Sequence, residues 1–346
     1  MKIGILSRWN ATCGAALHAM LIGKEFIGMG HQVRVFAPYI RSANRWWHHR
    51  IIGRDEDFVV RCYEELEPET LRGGSLEGER IRAEGLDALI IESYNSVPYL
   101  QIWELARELR GDVKLILVVH EGDRGELRYP DLDVFDRIVV FDKRYVEEML
   151  YDCRERVEII PYPCCPPKEG ERRFAEDRLI FFSFGRQPVE EYEAFIDALD
   201  GLSSEYDFLY RVVRADGLLP FKRKWLIQHK GRLSVEEIYR NLHSSDIHLL
   251  PKGNTRKVVV SSTASQCLGA LVPIVAPRVR YFENLPPGVI VLYEDREDLL
   301  RKLRLLIENE GFRAEVLERA RGYVEENRSD KIARRILELI HPVGVQ

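Results

Sequence analysis

The chain has 346 residues, 45% of them apolar and 31% charged, which excludes a disordered polypeptide and suffices for two domains with separate cores. A net charge of −5 gives no overall field to recruit nucleic acid or an anionic membrane. The apolar part of the opening MKIGILSRWN is too short for a signal peptide, and no run reaches the length of a membrane span. The expectation is a cytoplasmic protein with at most peripheral membrane contact. Its six cysteines (Cys13, Cys62, Cys153, Cys164, Cys165, Cys267) show neither C-x-x-C pairing nor a histidine at zinc spacing, and read as thiols.

In chain order, KIGILS (2–7) predicts a strand leading into a helix over 15–29 that Gly30 closes. QVRVFAP (32–38) is the second strand, and DALIIES (87–93) precedes a helix over 99–109. VKLILVVH (113–120), RIVVFD (137–142) and VEIIPYP (157–163) continue the alternation. Continuous apolar strands between helices imply a parallel sheet covered on both faces. PYPCCPPKEGERR (161–173), rich in Pro and charge, is the domain boundary, after which the pattern restarts. LIFFSF (179–184), a helix over 189–202, FLYRVV (208–213), DIHLLP (246–251), PIVAP (273–277) and VIVLY (289–293) form the second set. FKRKWL (221–226) reads as a solvated helix face, and 296–340 as helical with breaks near Gly311 and Arg328. The expected architecture is α/β, two doubly wound Rossmann-like halves over 1–165 and 166–328. Apolar spacing at Ile332, Ile336, Leu337 and Ile340 predicts that the helix over about 329–346 returns to the first half.

In this fold ligands bind beyond the carboxyl ends of the strands. The first turn, SRWNATCGAALHA (7–19), has only Gly14, and the second strand ends in Ala37-Pro38, so the dinucleotide fingerprint fails. His18 lies in the first turn of the next helix, where a polar helix face would also account for it. His120 ends VKLILVVH, where a functional side chain is expected, with a buried structural histidine as the alternative. Gly185-Arg186 ends another strand, and a guanidinium beside a permissive glycine suits a phosphate. Ser261, Ser262 and Thr263 open a helix, as an N-cap or as hydroxyl and N–H donors to an anion. RSANRWWHHR (41–50), with Trp46 and Trp47, could meet an acceptor, a sugar or a lipid headgroup, or could cover the sheet edge. Asp55/Asp57 and Asp131/Asp133 have D-x-D spacing but follow no apolar strand, so no metal is expected.

Over almost its whole length the chain resembles the retaining GT-B glycosyltransferases of family 4. The first turn with Gly14, His18 and GMGHQVRVFAP (28–38) is similar to the family's glycine loop and G-H-x-V-x-V-x-x-P strand. His120 matches its strand-end histidine, VEIIPYP its interdomain I-P-N-G segment and FSFGRQPVEEY its G-R-x-x-P-E-K-G stretch. HSSDIHLLP (243–251) resembles A-D-V-F-V-L-P and CLGALVPIVAP (267–277) resembles A-M-A-C-G-x-P-V-V-A, with Glu283 where a glutamate follows that strand. The resemblance implies transfer of a hexose from a nucleoside-diphosphate sugar to a glycan, lipid or small-molecule acceptor; no metal, cofactor or nucleic acid is expected. It implies Arg186 as the main diphosphate ligand, His120 at the transferring sugar, and Gly14, Gly185 and Glu283 at the donor. His18, Trp46 and Trp47 would then lie on the acceptor side. Two departures stand out. Glu191 falls where the family has a lysine beside the arginine, and Val258 and Gln266 fall where it has two signature glutamates. KGNTRKVVVSST (252–263) is about three residues longer than the family loop, so Lys252, Arg256 or Lys257 could supply the missing cation, with Ser261, Ser262 and Thr263 assisting. Alternatives are an inactive binding or scaffold protein on the same frame, or another activity such as epimerisation.

Overall fold

The computed structural model describes residues 1–45 and 50–340. Trp46 and Trp47 lie outside the described residues. The chain divides into two units: Met1–Pro163 with Lys257–Ser262 and Ser329–Gln346, and Cys164–Arg256 with Thr263–Arg328.

The first unit carries β1 (Lys2–Leu6), β2 (Gln32–Pro38), β3 (Val59–Leu66), β4 (Gly73–Leu76), β5 (Ala88–Ser93), β6 (Lys114–Val119), β7 (Arg137–Val140) and β8 (Val157–Ile159). Its first five helices are α1 (Gly14–Gly28), α2 (Ile40–Ala43), α3 (Gly78–Arg82), α4 (Tyr99–Leu109) and α5 (Lys143–Glu148). Strand order is β4-β3-β2-β1-β5-β6-β7-β8, parallel except for the antiparallel β3–β4 pair. The order reverses at β1, flanked by β2 on one side and β5 on the other. Central β5 and β6 are almost continuously apolar because neither face meets water. α1 puts Ala15, Ala19, Ile22 and Phe26 into the core beside β1.

The second unit carries β9 (Leu179–Gly185), β10 (Phe208–Arg214), β11 (Leu226–Lys230), β12 (Ile247–Leu249), β13 (Ile274–Pro277) and β14 (Val291–Tyr293). Its helices are α6 (Glu190–Leu202), α7 (Val235–His243), α8 (Ser262–Leu268, its first residue counted with the first unit), α9 (Arg296–Glu308) and α10 (Glu310–Glu326). All pairings are parallel, in the order β11-β10-β9-β12-β13-β14, with the reversal at β9. Both units are therefore doubly wound.

Two later segments complete the first unit. α11 (Ser329–Ile340) buries Ile332, Ile336 and Ile340 in its core, and Ser329 Oγ donates to Glu25 Oε1 of α1 at 2.6 Å. Lys257–Ser262 contributes Val258, which has 1% of its surface exposed.

The elements differ from expectation in several places. Residues 221–225 are not helical and lead into the edge strand β11. β3 and β4 were not foreseen, because VVRCYEEL mixes charge into its alternation and GGSL carries no strand pattern. The loop after β2 opens with the short helix α2. The break expected near Gly311 falls at Asn309, whose side chain accepts from Phe312 N at 2.9 Å and so caps α10.

Candidate functional site

In the first unit the candidate residues gather at the carboxyl ends of β1, β5 and β6, the reversal point of the sheet. Glu92 lies within β5 and has no exposed surface. A lone carboxylate there would be costly, since an ion stripped of water needs a partner. It has two. His18 Nδ1, from α1, stands 2.7 Å from Glu92 Oε1, and His120 Nε2, just beyond β6, stands 2.6 Å from Oε2. Burial alone would push the Glu92 carboxyl up, but the two histidines hold it below the usual carboxylate range. The imidazole rings meet edge-on at 5.5 Å, and Phe141 packs against both, at 5.5 and 5.0 Å. Tyr162 packs on His18 and donates its hydroxyl to the Gly14 carbonyl at 2.7 Å, fixing the first turn of α1.

The neighbouring carboxyl behaves in the opposite way. Glu121 is buried and accepts from Ser93 Oγ at 2.5 Å and Tyr99 OH at 2.7 Å. Burial pushes it up, beyond what those two donors offset.

His18, expected on the acceptor side, has no exposed surface, and its Nδ1 faces Glu92. His120 keeps 11% of its side chain exposed. Among the described residues, His18, Glu92 and His120 form a group of metal-ligand type, with facing atoms within 4.8 Å of one another. Ligands around a tetrahedral zinc at about 2.0–2.1 Å stand about 3.3 Å apart. The observed contacts of 2.6 and 2.7 Å are instead those of direct hydrogen bonds.

Lys257–Ser262 lies over this end of the first unit. Val258 N donates to Gly122 O at 2.8 Å, and a Cβ on Gly122 would stand 2.7 Å from Lys257 Cβ, so only glycine admits the approach. Arg144 Nη2 donates to Val259 O at 2.9 Å. Lys257, expected at the donor, places its Nζ 2.6 Å from Glu126 Oε1 in the first unit. Ser261 is buried and Ser262 lies against Gly14, while Thr263 is counted with the second unit.

The second unit gathers a different set at the ends of β9 and β12. β9 closes on Gly185 at φ +131°, a conformation open to glycine, and Arg186 follows. Arg214 Nη2 holds the next turn through Gln187 O at 2.9 Å. Half-buried Lys252, which follows β12, sets its Nζ 4.1 Å above the Tyr281 ring. Burial pushes its ammonium down, Glu191 opposes this, and the like charge of Arg186 adds to the fall. Glu191 turns toward the Gly253 N–H and Lys252, and burial pushes its carboxyl up against both. Exposed Glu283 follows β13, 3.8 Å from Arg280.

Glu92 was missed in the sequence, although a single acid inside the apolar run ALIIES signals a partnered group. Lys252 was visible only as one of three loop cations. Asp55 and Asp133 engage Arg61 and Arg156, and Asp131 accepts from Trp103 Nε1.

No family model matches the chain. Among solved structures, a glycosyltransferase from Rickettsia africae ESF-5 is similar with a TM-score of 0.68 at 12% identity, over 99% of this chain and 98% of that chain. An alpha-glucosyltransferase (AGT) in complex with UDP gives 0.67 at 13% identity, over 98% of this chain and 99% of that chain. WaaG, a glycosyltransferase involved in lipopolysaccharide biosynthesis, gives 0.62 at 13% identity, over 99% of this chain and all 100% of that chain. At such identities the likeness is one of fold, and the fold is GT-B.

Proposed function

We propose that the protein is a glycosyltransferase that moves a hexose from a nucleoside-diphosphate sugar to an acceptor still to be identified, with retention and without a metal. The observation that carries this reading is the placement of Arg186 and Lys252 just beyond the ends of β9 and β12, neighbouring strands at the reversal point of the second unit's sheet. A leaving nucleoside diphosphate develops negative charge, and preorganised cations at that spot stabilise it. Lys252 takes the part of the lysine that Glu191 replaces. Lys257 is the weaker candidate because it is engaged by Glu126 in the first unit. Glu283 orients a hydroxyl of the donor, Gly14 lets the first turn approach it, and His120 meets the transferring sugar. The UDP bound by the similar alpha-glucosyltransferase supports a nucleotide donor.

The test is a thermal-shift screen against UDP, GDP, ADP and CMP. A nucleotide present at a hundred times its dissociation constant adds about 2.7 kcal/mol of stability. A diphosphate that stabilises the parent but not Arg186→Ala supports the reading. If none of the four binds, the scaffold alternative takes its place.

A further inference from the structure

The carboxylate between the two histidines has no counterpart in the reading above. The two imidazoles against its oxygens hold the Glu92 carboxyl below its ordinary range, and a carboxylate only accepts hydrogen bonds. Each of its oxygens faces one ring nitrogen, Oε1 toward His18 Nδ1 and Oε2 toward His120 Nε2, at 2.7 and 2.6 Å. Both facing nitrogens must therefore carry the proton. We infer that Glu92 is a positioning residue that locks the two histidines in opposite tautomers, His18 as Nδ1–H and His120 as Nε2–H. A neutral His120 is thereby left with an Nδ1 lone pair.

Further contacts keep the rings from exchanging these roles. The His120 backbone N–H donates to Ser93 O at 3.0 Å, tying the residue to the strand that carries Glu92. Phe141 stands against both rings, and Tyr162 against His18. His18 Nε2 is buried and finds no hydrogen-bond partner among the described residues, as suits a lone pair turned into an aromatic pocket. Moving the proton to that nitrogen would set an Nδ1 lone pair against the Glu92 carboxylate and give up the 2.7 Å hydrogen bond. His18 thus occupies one carboxylate oxygen and leaves the other for His120. The consequence for a ligand is chemical. A neutral His120 presents an acceptor, which recognises a hydroxyl and gains nothing from an ether or carbonyl oxygen. This last step rests on the proposal that His120 meets the sugar, whereas the tautomers do not.

The experiment is long-range proton–nitrogen correlation spectroscopy on the full chain labelled at its histidine nitrogens, near neutral pH. His18→Gln and His120→Gln assign the signals. The parent should show His18 protonated at Nδ1 and His120 at Nε2. In Glu92→Gln the amide offers one acceptor oxygen instead of two, so at least one ring should lose its pattern. A parent His120 protonated at Nδ1 overturns the inference, as does an unchanged pair in a folded Glu92→Gln. Zinc that displaces both facing protons would also overturn it, by making the cluster a metal site. If Glu92→Gln does not fold, the parent spectrum still decides. Failure of the nucleotide screen would remove the glycosyltransferase reading and leave these spectra untouched.

Discussion

The two units are built on one plan and filled with opposite chemistry. Each is a doubly wound sheet, and each places its candidate site residues where the strand order reverses. In the first unit that point holds an anion, Glu92, fully buried and closed off by two histidines. In the second it holds Arg186 and half-buried Lys252, whose charges act on each other. The anionic centre is satisfied internally, so its interactions belong to the folded state itself. The cationic centre sets Arg186 and Lys252 against Glu191, an arrangement that becomes more favourable when an anion arrives. One topology therefore serves internal order in one place and ligand capture in another.

Substitutions should separate these roles. Glu92→Ala breaks a buried pair and strands two imidazoles, and should cost about 3–5 kcal/mol of stability by denaturant titration. Its effect on nucleotide binding should be small, and a stable Glu92→Ala would erase the contrast between the units. Arg186→Ala should do the reverse. It should cost about 2–5 kcal/mol in nucleoside-diphosphate binding by calorimetry and leave stability nearly unchanged. Lys252→Ala should cost less, about 1.5–3 kcal/mol of the same binding, in the range of a hydrogen bond to a charged group. If Lys257→Ala weakens binding more than Lys252→Ala, the second cation is the wrong one.

Smaller effects come from pH. The lowered Glu92 contributes stability that is present above the ordinary glutamate range and lost as pH falls through its lowered value. The raised Glu121 has the opposite sign, its contribution being present below that range and lost as pH rises through its raised value. Glu92→Gln should flatten the acid limb of the stability profile and Glu121→Gln the upper one. Two variants that flatten the same limb would contradict the assignment. Smallest of all should be chelation, since turnover with a competent donor is expected to survive EDTA. Activity lost to EDTA and restored by magnesium or manganese would show that the cations do not suffice.

Most of this frame was legible in the sequence because continuous apolar runs and helical periodicity are local signals. β5, β6, β9 and the helix Tyr99–Leu109 emerge from them almost residue for residue. Edge elements were not legible, for an edge strand such as LIQHK is half exposed and lacks the apolar run that marks a central one. The site was legible by half. His120 and Arg186 stand at strand ends, positions that a pattern of alternating elements already identifies. Glu92 takes its meaning from His18 and His120, 74 and 28 positions away, and only the pairing of β5 with β1 and β6 brings them together. Similarly, the course of Lys257–Ser262 onto Gly122 cannot be read from local pattern.

That last segment bears on how the molecule is made. The chain passes between the units after Pro163, Arg256, Ser262 and Arg328, so neither is one uninterrupted stretch. Val258 and the α11 residues Ile332, Ile336 and Ile340 are core side chains of the unit that synthesis starts first. At about 5–20 residues per second, its sheet leaves the ribosome many seconds before those side chains exist. During that interval the side of its core that they will cover stands open to water. The second unit has all of its strands and helices once α10 is made. The half that is begun first is thus the half that is finished last.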